Sequence, residues 1–416
     1  MSATIYQEFA DTHLATRGAP KPHIGRVAGE VLEDLYNRIY IEGEAAGDAE
    51  AFEIIKPTGV VDGAVPPTAV RSMMSSVPPR VRASLAKYKY VTHTFAIKIW
   101  DREVELAVAV RVSARRSRAY MLEHFALRVF TLCGVMLSYA TNKECAASKL
   151  VIFIAATECR KTFPDSKDDV ITTENANTAF TYGCDPLTRR AETPVLVFRE
   201  EEWFKVLAHE LCHAAGLDFS ELHADRVVSD IVDTKLKTAF NVRSVHIKLY
   251  ETYCETWATI VNVMFSVVWR HDERRSVEAQ ITAALEREAR WSLFQMSKLL
   301  RKYNTSYLKF TSGTPDEAAA MDEHDVALFS YNIAKAIAVT HVGEFIEWCA
   351  EHGADGSAMQ FTNDYITVES FCAFIRDRHC SPAILKYTTE IDKGLAAVGG
   401  VPTEVLETMR MSVTEW

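Results

Sequence analysis

The apolar residues of this chain change period near Glu200. Between His93 and Arg199 they fall into short alternating or continuous runs. Beyond Glu200 they recur at helical spacing almost to the end. HTFAIKIW and EVELAVAVR each alternate around the polar break Asp101-Arg102, the pattern of a β-hairpin. KLVIFIAA (149–156), TAFTYG (178–183) and PVLVFR (194–199) are three further strand candidates. Ser117 to Ala140 has helical spacing, as do segments near 201–215, 220–238, 244–268, 277–303, 326–338, 342–352 and 367–378. Strands followed by helices predict an α+β fold: a small mixed sheet, then a mainly helical C-terminal part. Residues 1–90 hold a helix at Arg26–Tyr40 and a long connection rich in Pro and Gly. The expected division is 1–90, 91–270 and 271–416.

Composition narrows the function classes. The 416 residues are 48% hydrophobic and 25% charged, which excludes collagen-like and wholly disordered chains. A net charge of -10 argues against a nucleic-acid coat, so no nucleic-acid partner is expected. No secretory leader and no membrane span is legible, and nine scattered cysteines without a CxxC pair predict reduced thiols. The expected setting is cytoplasmic, with no membrane partner. The basic run Arg111–Arg118 reads as the solvated start of a helix. No GxxxxGK[ST] loop and no GxSxG elbow is present, which removes the motifs of nucleotide and serine hydrolysis.

One segment carries chemistry. EEEWFKVLAHELCHAAGLDFS contains His209-Glu210-Leu211-Cys212-His213, an HExxH motif. On a helix, His209 and His213 lie one turn apart on one face and can bite a single zinc ion. Glu210 is rotated beside the metal, where it can take a proton from water. Gly216 stands where a helix stop belongs. A catalytic zinc needs a third protein ligand. A histidine or aspartate three residues past Gly216 would extend the motif, but Phe219 stands there. Asp218 and His223 are weak candidates, Asp218 being expected to cap the next helix. Glu251 and Glu255 are stronger. They sit one turn apart in YETYCETWATIVN, an apolar helix where an unpartnered carboxylate is costly. One of them would bind zinc and the other would orient a ligand histidine. Tyr331 leads the candidates for donor to the developing oxyanion, ahead of His246 and Tyr250.

In order along the chain, KLVIFIAATECRKTFP, NTAFTYG, VFREEEWFKVLAHELCHAAGLDFS, YETYCETWATIVN, RWSLFQMSKLLRKY and FSYNIAKAIAVTHVGEFIEWC resemble a known family. The chain resembles glutamate-zincin (HExxH…E) metallopeptidases, and more narrowly the zinc metallopeptidases encoded by nucleocytoplasmic large DNA viruses. The resemblance spans roughly Ser148 to Cys349. It implies a zincin-like fold whose helical part carries the active-site helix. It also implies Zn2+ as cofactor and a peptide or protein substrate. Glu255-Thr256-Trp257-Ala258 fits the family's ExxA pattern. That match implies Glu255 as third ligand beside His209 and His213, with Glu251 in support and Glu210 as base. PVLVFR is then expected as the edge strand along a substrate cleft, with Asn175–Gly183 bordering the other side. The resemblance carries a second expectation: a catalytically weak zincin-fold structural or interaction protein, associated with the virion or the host cytoplasm. A zinc hydrolase acting on a non-peptide amide is a third.

Overall fold

The computed structural model describes residues 4–16, 18–47, 56–112, 119–142, 145, 148–166, 168–184, 191–223, 225–242, 246–312, 326–397 and 400–415. Most of the basic run, 113–118, lies outside these residues.

Six strands form one open mixed sheet: β1 (Gly59–Asp62), β2 (Tyr90–Ile99), β3 (Arg102–Arg111), β4 (Lys149–Thr157), β5 (Ala179–Thr181) and β6 (Glu192–Arg199), in the order β1-β2-β3-β4-β6-β5. The expected hairpin is β2–β3, antiparallel from Tyr90 opposite Arg111 to Ile99 opposite Arg102. Strands β3, β4 and β6 run parallel, and the two edge strands are antiparallel to their neighbours.

The continuous apolar runs of β4 and β6 follow from burial on both faces. Leu150, Ile152, Ile154, Val195 and Val197 face the helical body. Val151, Phe153, Ala155, Leu196 and Phe198 face a smaller cluster with Val70, Met73, Val77 and Val81. Val70 and Met73 lie in a 3-10 turn (Thr68–Ser76), Val77 follows it and Val81 lies in a short helix at Pro79–Lys87, so part of the Pro-rich connection roofs the sheet's far face.

The main helices are α1 (Ile5–Thr12), α2 (Arg26–Gly47), α3 (Pro79–Lys87), α4 (Ala119–Tyr139), α5 (Trp203–Ala214), α6 (Arg226–Lys237), α7 (Leu249–Trp269), α8 (Val277–Lys302), α9 (Lys335–Thr340), α10 (Val342–His352), α11 (Tyr365–Arg378) and α12 (Pro382–Ala396). One apolar cluster runs from α1 and α2 through α5, α7 and α8 to α12, so it draws on all three expected segments. The helix expected at 220–238 is interrupted. A short turn, Ser220–His223, precedes α6, whose cap is Asp225 accepting from the amide of Val227 at 2.8 Å. Among the described residues no helix is long and apolar enough to cross a membrane.

Two expectations are corrected here. PVLVFR is not an edge strand: β6 is paired with β4 on one side and β5 on the other. The edge belongs to β5, within TAFTYG. A short run gives no hint of how many neighbours it has, and the most apolar strand takes the interior place. The cysteines are not all thiols: Cys145 and Cys184, 39 residues apart, form a disulfide, and seven others are free. The fold brings the segments before β4 and after β5 together, which no local spacing announces.

Candidate metal centre

Helix α5 lies between the sheet edge and α7, and every residue from Phe204 to Ala214 is buried. Its C-terminal end is closed by paired turns. The amide of Leu217 donates to Cys212 O at 2.9 Å and that of Gly216 to His213 O at 3.1 Å. Gly216 has φ +65, and a Cβ there would stand 2.7 Å from Cys145 Sγ. The expected helix stop is therefore both a left-handed turn and a close approach. Past β5, Cys184 donates its amide to His213 O at 2.9 Å, tying the end of the edge strand to α5.

Helices α5 and α7 run antiparallel at the centre. His209 Nε2 is 3.1 Å from His213 Nε2. Glu251 Oε2 stands 3.0 Å from the first and 3.4 Å from the second. The other edge of each ring meets an acceptor. Glu255 Oε1 is 3.2 Å from His209 Nδ1, and Asp218 Oδ2 meets His213 Nδ1. A carboxylate on the Nδ1 side favours the proton there, so Nε2 is the nitrogen that a metal takes once it displaces the ring's second proton. Both Nε2 atoms thus stand beside one carboxylate oxygen.

A four-coordinate ion with bonds of about 2.0–2.1 Å spaces its donor atoms roughly 3.3 Å apart. The three separations at this centre, 3.0, 3.1 and 3.4 Å, bracket that spacing. His209, His213 and Glu251 can therefore hold a tetrahedral metal with one position left over. Two other groupings fit less well among the described residues. His213, Asp218 and Cys254 share the back of a ring that already serves the first set, and the sulfurs of Cys145 and Cys184, grouped with Glu221, are bonded to each other.

The two carboxylates are reversed from the expected order. Glu251 holds the Nε2 side, while Glu255 lies behind His209 and is ion-paired with Lys205. The reason is helical phase. With α7 antiparallel to α5, the residue nearer the start of α7 reaches the gap between both rings. Glu255, one turn on, stands opposite Lys205 and touches only His209. The ExxA spacing gives no information about that phase.

Burial disfavours charge on His209, but Glu251 and Glu255 outweigh it and raise the ring to about 9. Burial likewise opposes ionisation of Glu251 and Glu255. For Glu251 the two histidines win, and for Glu255 Lys205 and His209 do, so both carboxyls are held well below the usual range. Glu210 is buried and moves the other way. Burial, with Glu251 and Glu255, lifts it against the pull of His209 and His213. Tyr331 sits in a π-helical turn, Phe329–Ala334, with its ring 5.9 Å from that of His209. Burial and the nearby Glu251, Glu210 and Glu255 hold its hydroxyl protonated.

The remaining candidates separate clearly. Tyr250 has its ring 5.9 Å from His213 and 5.1 Å from His223. His246 is largely exposed and pairs with Asp233 at 3.5 Å. Asp218 does cap the following turn, accepting from Ser220 N at 2.9 Å through Oδ1, while its other oxygen serves His213. Sequence reasoning missed Lys205 and this double role of Asp218. Lys205 had a signal: it lies four residues before His209, a charged side chain on the ligand face of a buried helix. No family model, no curated protein and no solved structure matches the chain.

Proposed function

We propose that this chain is a zinc-dependent peptidase of the glutamate-zincin type, with His209, His213 and Glu251 as metal ligands. One observation carries the reading: two imidazole Nε2 atoms and one carboxylate oxygen converge at tetrahedral spacing, 3.0–3.4 Å apart, with Glu210 next to His209 on the same buried helix. When bound, zinc polarises a carbonyl oxygen and makes water nucleophilic near neutral pH. Glu210 accepts the proton from that water and returns it to the leaving nitrogen. Tyr331 supplies a hydroxyl donor for the carbonyl oxygen as it gains charge. Asp218 and Glu255 fix the tautomers of His213 and His209. β5, the edge strand next to α5, offers main-chain groups to an extended peptide by β-augmentation.

A zincin-fold scaffold with little turnover is the competing reading. Glu210 weighs against it. The carboxylate is buried and makes no side-chain hydrogen bond among the described residues, so a scaffold gains nothing from it. The test combines metal analysis with a quenched peptide pool. One zinc per chain and cleavage that vanishes in Glu210→Gln, with zinc retained, is the expected result. Zinc without cleavage in the wild type refutes the peptidase, and a chain that takes up no zinc refutes the centre.

A further inference from the structure

Buried charged side chains gather behind the candidate centre, and four of them, Glu202, Glu288, Lys298 and Lys335, grip one irregular segment. Thr408 to Thr414 are all buried, although only Thr408 pairs in a β-bridge, with Thr162. We propose that Thr408–Glu415 is a positioning strap that sets the spacing of the two ligand helices, so that metal affinity depends on a segment remote from the metal. The inference rests on the metal reading above and names a further determinant of the same centre.

Each neighbouring helix contributes a hand. Glu202, the residue that starts α5, accepts the amides of Met411 at 3.0 Å and Ser412 at 2.6 Å. Its backbone takes φ 57, a left-handed conformation in a residue with a Cβ. Asn262 of α7 donates to Thr414 O at 3.1 Å and to Ser412 Oγ at 3.4 Å. Glu288 of α8 accepts from the Ser412 hydroxyl at 2.8 Å and from the amides of Val413 and Thr414 at 3.1 and 2.8 Å. Lys335 of α9 donates to Met411 O at 2.6 Å, and Lys298 of α8 to Thr408 O at 2.7 Å.

Apolar packing alone would bury such a segment at any of several registers. Charged hands do not allow that. A buried carboxylate or ammonium that loses its partner is strongly destabilised, so each grip is satisfied at one strap position and one helix position. The strap is the shared partner of Glu202 on α5 and Asn262 on α7. Helix α5 carries His209 and His213, and α7 carries Glu251. Lys205, one turn into α5, is paired with Glu255 on α7, and the charge of Lys335 acts on both. Behind His209, therefore, Lys205 and Glu255 tie α5 to α7, while the strap ties Glu202 of α5 to Asn262 of α7. Donor atoms that must stay within about 0.5 Å of a productive geometry depend on such support.

Glu288→Gln in the full chain is the test, because Glu288 grips the strap and belongs to neither ligand helix. Zinc affinity is read by competition with a chelator. Cobalt(II) substitution reads the donor geometry through its visible absorption, and melting of the metal-free protein reads the fold. The expected result is a loss of about 10-fold in zinc affinity with an altered cobalt spectrum, at the lower end of the 10–100-fold typical of outer partners. Rescue toward wild type by Glu288→Asp supports the same conclusion. A lowered melting temperature with wild-type affinity and spectrum overturns the proposal and leaves the strap a packing element. If Glu288→Gln does not fold, Ser412→Ala removes one hydroxyl from the same carboxylate and is judged by the same two outcomes. Failure of the wild type itself to bind zinc is a different result, and it sinks the metal centre rather than the strap alone.

Discussion

Glu251 and Glu255 lie one turn apart on α7 and are chemically identical, yet their substitution by glutamine has opposite signatures. Glu251 Oε2 is within 3.4 Å of both Nε2 atoms, so Glu251→Gln removes a charged ligand and most of the zinc affinity. Glu255 touches only the Nδ1 side of His209, at 3.2 Å. Its replacement acts on an outer partner, worth about 10–100-fold in affinity, or roughly 1.4–2.7 kcal/mol. The fold responds in the reverse order. Lys205 is 1% exposed and ion-paired with Glu255, so Glu255→Gln strands a buried ammonium. Breaking such a pair costs about 3–5 kcal/mol. Glu251→Gln leaves no cation without a carboxylate in the metal-free protein, because His209 keeps Glu255 and His213 keeps Asp218. Chelator competition on both variants, alongside melting of the metal-free forms, reads the two effects separately. Glu251→Gln should lose zinc and melt close to wild type. Glu255→Gln should keep weakened zinc and melt several degrees lower. If Glu255→Gln loses zinc as completely as Glu251→Gln, or Glu251→Gln binds as wild type does, the geometric assignment is wrong.

Other outcomes follow from the same structure. Tyr331→Phe should lower kcat by about 100- to 1,000-fold, the effect of losing one oxyanion donor, with zinc content and KM unchanged; an unaltered kcat removes Tyr331 from the mechanism. Burial pushes the Glu202 carboxyl up, but Lys161, Arg410 and Lys205 outweigh it and hold it at about 2 instead of 4.5. Its contribution, about 3 kcal/mol, is complete above pH 4.5 and is lost as pH falls toward 2. Acid unfolding of Glu202→Gln should therefore be flatter than wild type across that window, and parallel curves would contradict the burial of the pair. Denatured without reductant, the chain should present seven reactive thiols of nine. Replacing Cys145 and Cys184 by serine should cost about 4 kcal/mol for a 39-residue loop, read by chemical denaturation. Nine reactive thiols would remove the bond.

Much of this architecture is legible in the sequence because its signals are local. The β2–β3 hairpin, the strands β4 and β6, and the buried amphipathic α5 follow from period alone. So does the pairing of His209 with His213, since four residues on a helix fix two rings on one face whatever surrounds them. What the sequence hides depends on relations between elements. Whether β6 or β5 is the edge depends on the order of a sheet, and GVVD of β1 is a four-residue strand whose two valines are exposed. Which carboxylate faces the two Nε2 atoms depends on the direction of α7 against α5. The Cys145–Cys184 bond and the grip of Glu288 on Thr414, 126 residues away, are long-range facts with no short-range trace.

The distribution of buried charge around α5 explains why those hidden relations take the form they do. A helix that must hold two imidazoles against an acidic partner on another helix cannot be fixed by apolar contact alone, because apolar faces slide. Its C-terminal end is held by the left-handed turn at Gly216, packed on Cys145, and by the Cys184 amide on His213 O at 2.9 Å. Its N-terminal end is held by Glu202, whose side chain leaves the ordinary capping role and reaches the strap and Lys161 instead. Each anchor is directional, and each lies within two turns of a histidine. Between those ends Glu210 makes no side-chain hydrogen bond among the described residues, while Lys205 and His209 are held by Glu255. Rigidity is therefore concentrated at the two ends, and perturbing either end should disturb the metal before it disturbs the sheet, which is the order of loss that stepwise denaturation of the zinc-loaded chain should reveal.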